Sequence, residues 1–310
     1  MPKKRKTTLS HRLEYAAGRA AQALICAMPL SWARETGAAL GGFAFDVLRI
    51  RRDVVMGHLE RIFGDRRTRD ELVAIARESY CNFGRMTFEY MWFPRVHPEN
   101  VSATMRVSGG EHIDAAIEAG KGAVLVAGHF GNWETLAMLA SVGYPMTFLV
   151  GEQHNILVDG MMNRLRSRFG GELVPVTGNL MGVLRALRAN RVVGLLSDQD
   201  AGRDGVFVEF LGRTASTPYG PARFSERTGA ALLPCAVLRH EDGVNEIIVC
   251  PPVPPPPEDL PQEERVRELT QGYTTAFEGF ILEHPEHYFW MHRRWKTRPQ
   301  GAAPEERPED

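Results

Sequence analysis

Two hydrophobic patterns divide the chain near residue 105. Before that point, apolar residues recur at steps of three and four, most clearly in Arg51–Phe63 and Arg69–Phe93. This spacing is typical of helices with one buried face, and it predicts a helical region over residues 10–100. Beyond Met105, short apolar runs alternate with helical patterns, so we expect a sheet to begin there.

The predicted strands are short runs of β-branched and aliphatic residues, each followed by a helical pattern. The predicted strands are Ala123–Ala127, Met146–Val150, Glu172–Val176, Val192–Leu196 and Val206–Phe210. Helices are predicted before, between and after them, at about 111–119, 131–142, 156–169, 179–189 and 219–228. Strand and helix in alternation predict an α/β fold with a largely parallel central sheet flanked by helices.

The last third of the chain changes character. Residues 231–250 predict a hairpin that turns at Asp242-Gly243, and a two-residue turn there would place Cys235 opposite Cys250. We expect both thiols to be reduced, although this register would allow a disulfide. A long helix follows at about 261–283, and residues 300–310 have the composition of a disordered tail.

The first 48 residues are predicted to associate with a membrane. Lys3, Lys4, Arg5 and Lys6 form a basic cluster, and residues 15–48 are rich in apolar side chains but interrupted by charges. Such a segment favours helices that lie on an anionic bilayer over one that spans it, while ordinary packing on the domain is the alternative. We therefore divide the chain into a membrane-associating region at 1–48, an α/β domain at 49–299 and a tail at 300–310.

The net charge of −1 gives no basic field that would attract nucleic acid. The four cysteines show no metal-ligand spacing. We therefore expect neither a nucleic-acid partner nor a structural metal.

The segment GHFGNWE, at 128–134, carries the candidate chemistry. It follows a strongly apolar strand and precedes a helical pattern, so it lies where open α/β sheets bind ligands. We predict that His129 is a general base, that Glu134 orients its ring, and that the start of the following helix keeps the imidazole neutral. The backbone N–H groups near Gly131 and Asn132 are candidates for stabilising an oxyanion.

No serine or cysteine stands beside His129, which favours direct attack by a substrate hydroxyl on an acyl carbonyl. A histidine and a glutamate five residues apart could equally be a helix cap and a surface charge. Two later segments also bear on this choice: DQD at 198–200 with FLGRTASTPYGPA at 210–222, and WMHRRWKTRP at 290–299.

Together these segments resemble the lipid A biosynthesis late acyltransferases, a family similar to the glycerol-3-phosphate and lysophospholipid acyltransferases in its H-x4-D/E motif. The resemblance covers residues 10–299 and implies that His129 and Glu134 are the catalytic pair. It further implies transfer of a fatty acyl chain from acyl carrier protein to a hydroxyl of a lipid A precursor, at the cytoplasmic face of the inner membrane and without a cofactor.

The resemblance also implies a basic residue that contacts the acceptor phosphate or the oxyanion. Arg166 is the first candidate and Arg164 the second, with a solvated helix face as the alternative. Asp198 and Asp200 are expected to contact substrate or to order a loop. The aromatic and basic side chains of residues 288–296 could lie near the acceptor or clamp the terminus onto the core.

Three other functions compete with this one. A relative that uses acyl-CoA to acylate another glycolipid, such as a phosphatidylinositol mannoside, would keep the same His129 chemistry. A non-catalytic membrane-bound protein could retain the fold, but it would not need His129, Asn132 and Glu134 together. A metal-dependent glycosyltransferase built on Asp198 and Asp200 would lose activity on chelation.

Overall fold

A seven-stranded sheet forms the centre of the computed structural model, which describes residues 7–176, 180–299 and 301. The strand order is β1-β9-β8-β2-β5-β3-β4. Its members are β1 (Met105–Ser108), β2 (Ala123–Ala127), β3 (Met146–Val150), β4 (Glu172–Pro175), β5 (Val192–Leu196), β8 (Ala231–Arg239) and β9 (Asn245–Val249). The five strands from β8 to β4 run parallel, and β9 is antiparallel to β8. The predicted α/β fold with a largely parallel sheet is confirmed.

Helices cover both faces of the sheet. They are α1 (Leu9–Ala27), α2 (Leu30–Asp46), α3 (Arg52–Phe63), α4 (Arg69–Trp92), α5 (Gly110–Glu118), α6 (Ile156–Ser167), α7 (Leu180–Arg188), α8 (Gly220–Thr228) and α9 (Gln262–Glu283). A separate hairpin joins β6 (Val206–Phe210) to β7 (Arg213–Thr217). Side chains of β2 alternate between two buried clusters, Val124 and Val126 in one and Leu125 in the other, so the sheet divides the core into two layers.

The helix predicted at about 131–142 is a 3₁₀ helix over Trp133–Val142. Two other local predictions, both on the β8–β9 hairpin, were wrong. The hairpin turn is wider than two residues, because Gly243 N donates to His240 O and His240 N to Val244 O. This shifts the register by one, so Cys235 pairs with Val249 instead of Cys250.

Helix α2 lies unusually close to α4. A Cβ atom added to Gly84 would lie 2.0 Å from the Gly37 carbonyl oxygen, and one added to Gly41 would lie 2.1 Å from the Tyr80 carbonyl oxygen. Both distances are far below van der Waals contact, so only glycine allows this approach of the two backbones. Three glycines therefore fix the N-terminal helices onto the α/β core.

The opposite faces of α1 and α2 leave large apolar side chains exposed. We name these side chains the apolar stripe: Leu9, Leu13, Leu24, Trp32, Leu40, Phe43, Val47, Leu48 and Ile50. Within the described ranges, no helix combines the length and hydrophobicity that crossing a bilayer requires. The basic cluster at Lys3–Lys6 and the predicted tail beyond residue 301 lie outside the described residues.

The helix contact predicts a difference between two glycines. Gly41→Val should lower the melting temperature, because its side chain must push α2 away from α4. Gly57→Ala in α3 is the matched control. A Cβ there meets nothing within 4 Å, and the change should stabilise the helix by about 0.5–1 kcal/mol. Thermal unfolding followed by circular dichroism measures both variants, and equal melting temperatures would contradict the packing argument.

Candidate active site

The register of two parallel strands creates the candidate active site. Ala127 at the end of β2 lies opposite Leu196 at the end of β5. Two residues further along each strand come His129 and Asp198, which are therefore level at the carboxyl edge of the sheet. The Ser197 N–H donates to Ala127 O at 2.9 Å and extends the strand pairing up to this point.

Asp198 holds His129 through two hydrogen bonds. Oδ1 lies 2.7 Å from the ring nitrogen Nδ1, and Oδ2 accepts from the His129 backbone N–H at 2.9 Å. The Asp198 side chain is 2% exposed and the His129 side chain 21% exposed. A proton on Nδ1 thus points at the carboxylate, which leaves Nε2 as the nitrogen that can take a proton from a substrate.

The two pKa values move in the directions that such a pair produces. Burial alone would lower the pKa of His129, but the negative charge and hydrogen bond of Asp198 outweigh it and raise that pKa above its ordinary value. Burial would likewise raise the pKa of Asp198, but the contacts with His129 lower it. The predicted effect of the helix start, which disfavours the imidazolium, is opposed by the buried carboxylate of Asp198, which raises the pKa of His129.

Glu134 does not orient His129 in this structure. Its two carboxylate oxygens accept from Arg166 Nη2 at 2.6 Å and Nε at 2.8 Å, in a bidentate pair. Both partners are mostly buried, with 8% of the Glu134 side chain and 18% of the Arg166 side chain exposed. Glu134 still lies close enough for its charge to contribute to the raised pKa of His129. The predicted pairing of His129 with Glu134 is replaced by two pairs, His129–Asp198 and Glu134–Arg166.

Of the two candidate oxyanion donors, the Gly131 N–H has a structural partner. The Gly131 N–H donates to His287 O at 2.9 Å, and its φ of +57° brings the chain so near Val237 O that a Cβ would lie 1.7 Å away. The Asn132 side chain is buried and donates to Glu89 at 2.6 Å. The Gly131 N–H and the Asn132 side chain therefore shape the turn, while the oxyanion role of the Asn132 backbone N–H stays a prediction.

Two further predicted binding residues, Arg164 and Asp200, have partners of their own. Arg164 is exposed on α6 and reaches Tyr15 of α1 at 3.5 Å. Asp200 accepts from Thr297 Oγ1 at 2.9 Å and from the Gly202 N–H at 3.2 Å, so it orders its own loop and the C-terminal segment. These contacts of Asp200 correspond to the predicted ordering of a loop, whereas Asp198 contacts His129.

Aromatic rings surround the exposed side of His129. Trp133 and Phe289 lie 4.9 Å and 6.2 Å from the imidazole, measured between ring centroids. Phe83 of α4, which is 36% exposed, stacks near both of them. The imidazole of His129 therefore has aromatic, apolar neighbours in Trp133 and Phe289.

The C-terminal segment, residues 288–296, packs against the turn that contains His129. Its chain pairs with the turn that contains His129 through the Phe130–Tyr288 bridge, and the Phe289 N–H donates to His129 O at 3.0 Å. Arg294, 1% exposed, donates to Ser216 O at 2.5 Å. His292 Nε2 accepts from the Asp200 N–H at 2.9 Å. Most of this segment clamps the terminus onto the core, while the Phe289 ring lies beside His129 and the Tyr288 side chain hydrogen-bonds with Asp198.

Comparison with known proteins identifies the class. The sequence matches the family described as bacterial lipid A biosynthesis acyltransferase over residues 2–297. It is 30% identical to the lipid A biosynthesis lauroyltransferase of Escherichia coli (strain K12) over 286 residues, which cover 90% of each chain. It is also 30% identical to the phosphatidylinositol mannoside acyltransferase of Mycobacterium tuberculosis (strain H37Rv) over 235 residues, 73% of this chain and 71% of that one.

Among solved structures, the chain is similar to the 1-acyl-sn-glycerophosphate acyltransferase PlsC from Thermotoga maritima, with a TM-score of 0.37 and 16% identity over 81% of this chain and 97% of that one. The chain belongs to the bacterial lipid A biosynthesis acyltransferase family. It is accordingly an acyltransferase, as the predicted resemblance implied.

The His129–Asp198 pair predicts a shifted pH profile. A general base must be neutral, so kcat/KM should rise with pH through an ionisation above the ordinary value of about 6.5 for histidine. Asp198→Asn removes the charge that raises this pKa. The rising limb should therefore move to lower pH, while the maximal rate falls by about 10²–10⁴-fold.

Asp46→Asn is the control, because it removes an exposed carboxylate that pairs with Arg77 far along the chain from the site. It should leave both the limb and the rate unchanged. A limb that stays in place in Asp198→Asn would show that Asp198 does not set the pKa of the base.

Proposed function

We propose that this protein transfers a fatty acyl chain from acyl carrier protein to a hydroxyl group of a lipid A precursor. The His129–Asp198 pair at the sheet edge carries the proposal, because it is a complete base-and-orienter unit with no protein nucleophile in the motif. Membership of the family supports a glycolipid acceptor. The lauroyltransferase that is similar along 90% of the chain supports the lipid A precursor as that acceptor.

The reaction needs one proton to move and one acyl group to be transferred. His129 Nε2 takes the proton of the acceptor hydroxyl as the oxygen attacks the thioester carbonyl. Asp198 stabilises the imidazolium that forms. When the tetrahedral intermediate collapses, the C–S bond breaks and the imidazolium returns the proton to the leaving thiolate. The products are an ester and a free thiol, and His129 is neutral again.

Arg166 is proposed to stabilise negative charge in this reaction. Glu134 occupies only two of the five N–H bonds of the guanidinium, and 18% of the side chain is exposed. The hydrogen bonds to Glu134 raise the pKa of Arg166 although burial acts against this, so its charge is permanent. The free N–H groups can contact the developing oxyanion or an acceptor phosphate. Glu134 then acts by holding Arg166 in place.

Acyl transfer to a tetra-acylated, Kdo-bearing lipid A precursor tests the proposal directly. Wild type should add one acyl group from lauroyl-, myristoyl- or palmitoyl-loaded acyl carrier protein, measured by mass spectrometry. His129→Ala should lose the reaction. Arg166→Lys should reduce kcat by about 10²–10³-fold, because a lysine cannot keep the bidentate pair with Glu134.

The same assay separates the alternative function. A wild-type enzyme that does not acylate the lipid A precursor but acylates a phosphatidylinositol mannoside from acyl-CoA would have the alternative function. That outcome would keep the roles of His129 and Asp198 and replace both donor and acceptor. The 30% identity to the mycobacterial enzyme is the observation that favours including this arm.

We further propose that the apolar stripe binds the cytoplasmic face of the inner membrane. Trp32, Leu40 and Phe43 lie on one face of α2, Val47 follows directly after its last residue, and the four side chains are 48–68% exposed. Exposed Arg49 and Arg51 follow directly, as expected beside anionic headgroups. The lipid acceptor and the water-soluble donor would then meet at this surface.

Three substitutions test this placement without deleting a helix. Trp32→Gln, Leu40→Gln and Phe43→Gln together should reduce flotation with vesicles of phosphatidylglycerol and phosphatidylethanolamine, because they remove most of the exposed apolar area on α2. The control carries Val142→Gln, Val176→Gln and Met181→Gln, three similarly exposed apolar residues elsewhere. Equal flotation of both triple variants would move the membrane contact away from α2.

A further inference from the structure

One buried carboxylate outside the proposed chemistry joins four parts of the fold. Glu89 on α4 is 4% exposed. Its Oε1 accepts from Arg34 Nε at 2.5 Å and from Arg239 Nε at 3.1 Å. Its Oε2 accepts from Arg239 Nη2 at 2.7 Å, Asn132 Nδ2 at 2.6 Å and Asn245 Nδ2 at 3.4 Å. Five N–H groups therefore converge on this one side chain.

The cluster around Glu89 consists of one negative and two positive side chains, all mostly buried. Burial alone would raise the pKa of Glu89, but the charges and hydrogen bonds of Arg239 and Arg34 hold it below the ordinary value, so the carboxylate is ionised. The Arg239 side chain is 7% exposed and that of Arg34 15%. A buried group of charges is expensive to assemble and contributes little net stability compared with apolar packing. The function of the cluster around Glu89 is therefore better inferred from the elements that it joins than from its contribution to stability.

Asn132 connects the cluster to the catalytic turn. Its side chain is 1% exposed, and Oδ1 has no hydrogen-bond partner in the described part of the chain, so Nδ2 to Glu89 is the bond that orients it. The turn from His129 to Asn132 is held at three points by different elements: Asp198 at its start, His287 at Gly131, and Glu89 at its end. Loss of the contact with Glu89 would release the end of the turn, which Trp133 and Glu134 directly follow.

Arg34 connects the same carboxylate to α2. It lies on the helix that carries the apolar stripe, and its Nη2 also donates to Gly243 O in the β8–β9 turn. The close contact of α2 with α4 through Gly37 and Gly84 fixes the distance between Arg34 and Glu89. A continuous path of hydrogen bonds therefore runs from α2 through Glu89 to Asn132.

We infer that Glu89 is a positioning residue for the catalytic turn, that it acts through Asn132, and that Arg34 links this positioning to α2. The inference rests on the proposed function, since it assigns His129 as the base. A displaced turn would change the alignment of His129 with the substrate carbonyl, which reduces turnover more than binding.

A double-mutant cycle on turnover tests the inference. Glu89→Gln and Asn132→Ala should each lower kcat by about 10–100-fold with little change in KM, as expected for a small misplacement of reacting groups. The double variant should be no slower than the slower single variant, because both changes remove one link. Glu226→Gln is the matched control: it breaks a half-buried pair with Arg265 between α8 and α9, and should keep the wild-type kcat.

Additive losses of kcat, or a folded Glu89→Gln variant with wild-type turnover, would overturn the inference. If Glu89→Gln does not fold, Arg34→Lys replaces it in the cycle, because it keeps the positive charge and shortens the reach to Glu89. An Arg34→Lys effect on kcat that is not additive with Asn132→Ala would support the link to α2, and an additive effect would overturn it.

A second measurement separates this inference from the proposed function. If wild type acylates neither glycolipid, the proposed function fails, but the ring signals of His129 in nuclear magnetic resonance still report on the turn. They should shift in Glu89→Gln and Asn132→Ala and not in Glu226→Gln. Unchanged His129 signals in folded variants would overturn the inference independently of any substrate.

Discussion

The parallel pairing of β2 with β5 is the constraint on which the site depends. It places a histidine and an aspartate at matching positions beyond two buried strands, where the two side chains form a short hydrogen bond. Asp198 is almost fully buried and would be costly as an unpaired charge. His129 is in turn held in one tautomer and one orientation. The requirement of the carboxylate for a partner and the requirement of the base for an orienting group are therefore met by a single contact.

Much of this architecture could be predicted from local patterns. The strands at 123–127, 146–150, 192–196 and 206–210 were predicted at the residues where the structure has them, because each is a short apolar run between helical patterns. The strands at Met105–Ser108 and Arg213–Thr217 were missed. Both contain several polar residues, and the second belongs to a hairpin outside the main sheet. Their pairing, more than their composition, makes them strands.

The residues of the candidate site could be singled out from the sequence, but which of them pair with each other could not. His129, Glu134, Arg166 and Asp198 were all singled out from sequence, yet Glu134 was assigned to His129 because it is near in the chain. Strand order decides otherwise: β5 lies next to β2, although β3 and β4 come between them in sequence. The signal that could have helped is the equal offset of His129 and Asp198 from the ends of their strands. The role of Glu89 had no sequence signal, since a glutamate within an amphipathic helix is ordinarily a solvated charge.

The C-terminal segment has a consequence for when this enzyme can become active during its synthesis. Phe289 covers one side of the base, while His292 and Thr297 fasten the loop that contains Asp200. A nascent chain that does not yet include residues 289–297 lacks these contacts. Synthesis must therefore pass residue 297 before the loop that contains Asp200 can be fixed in this way.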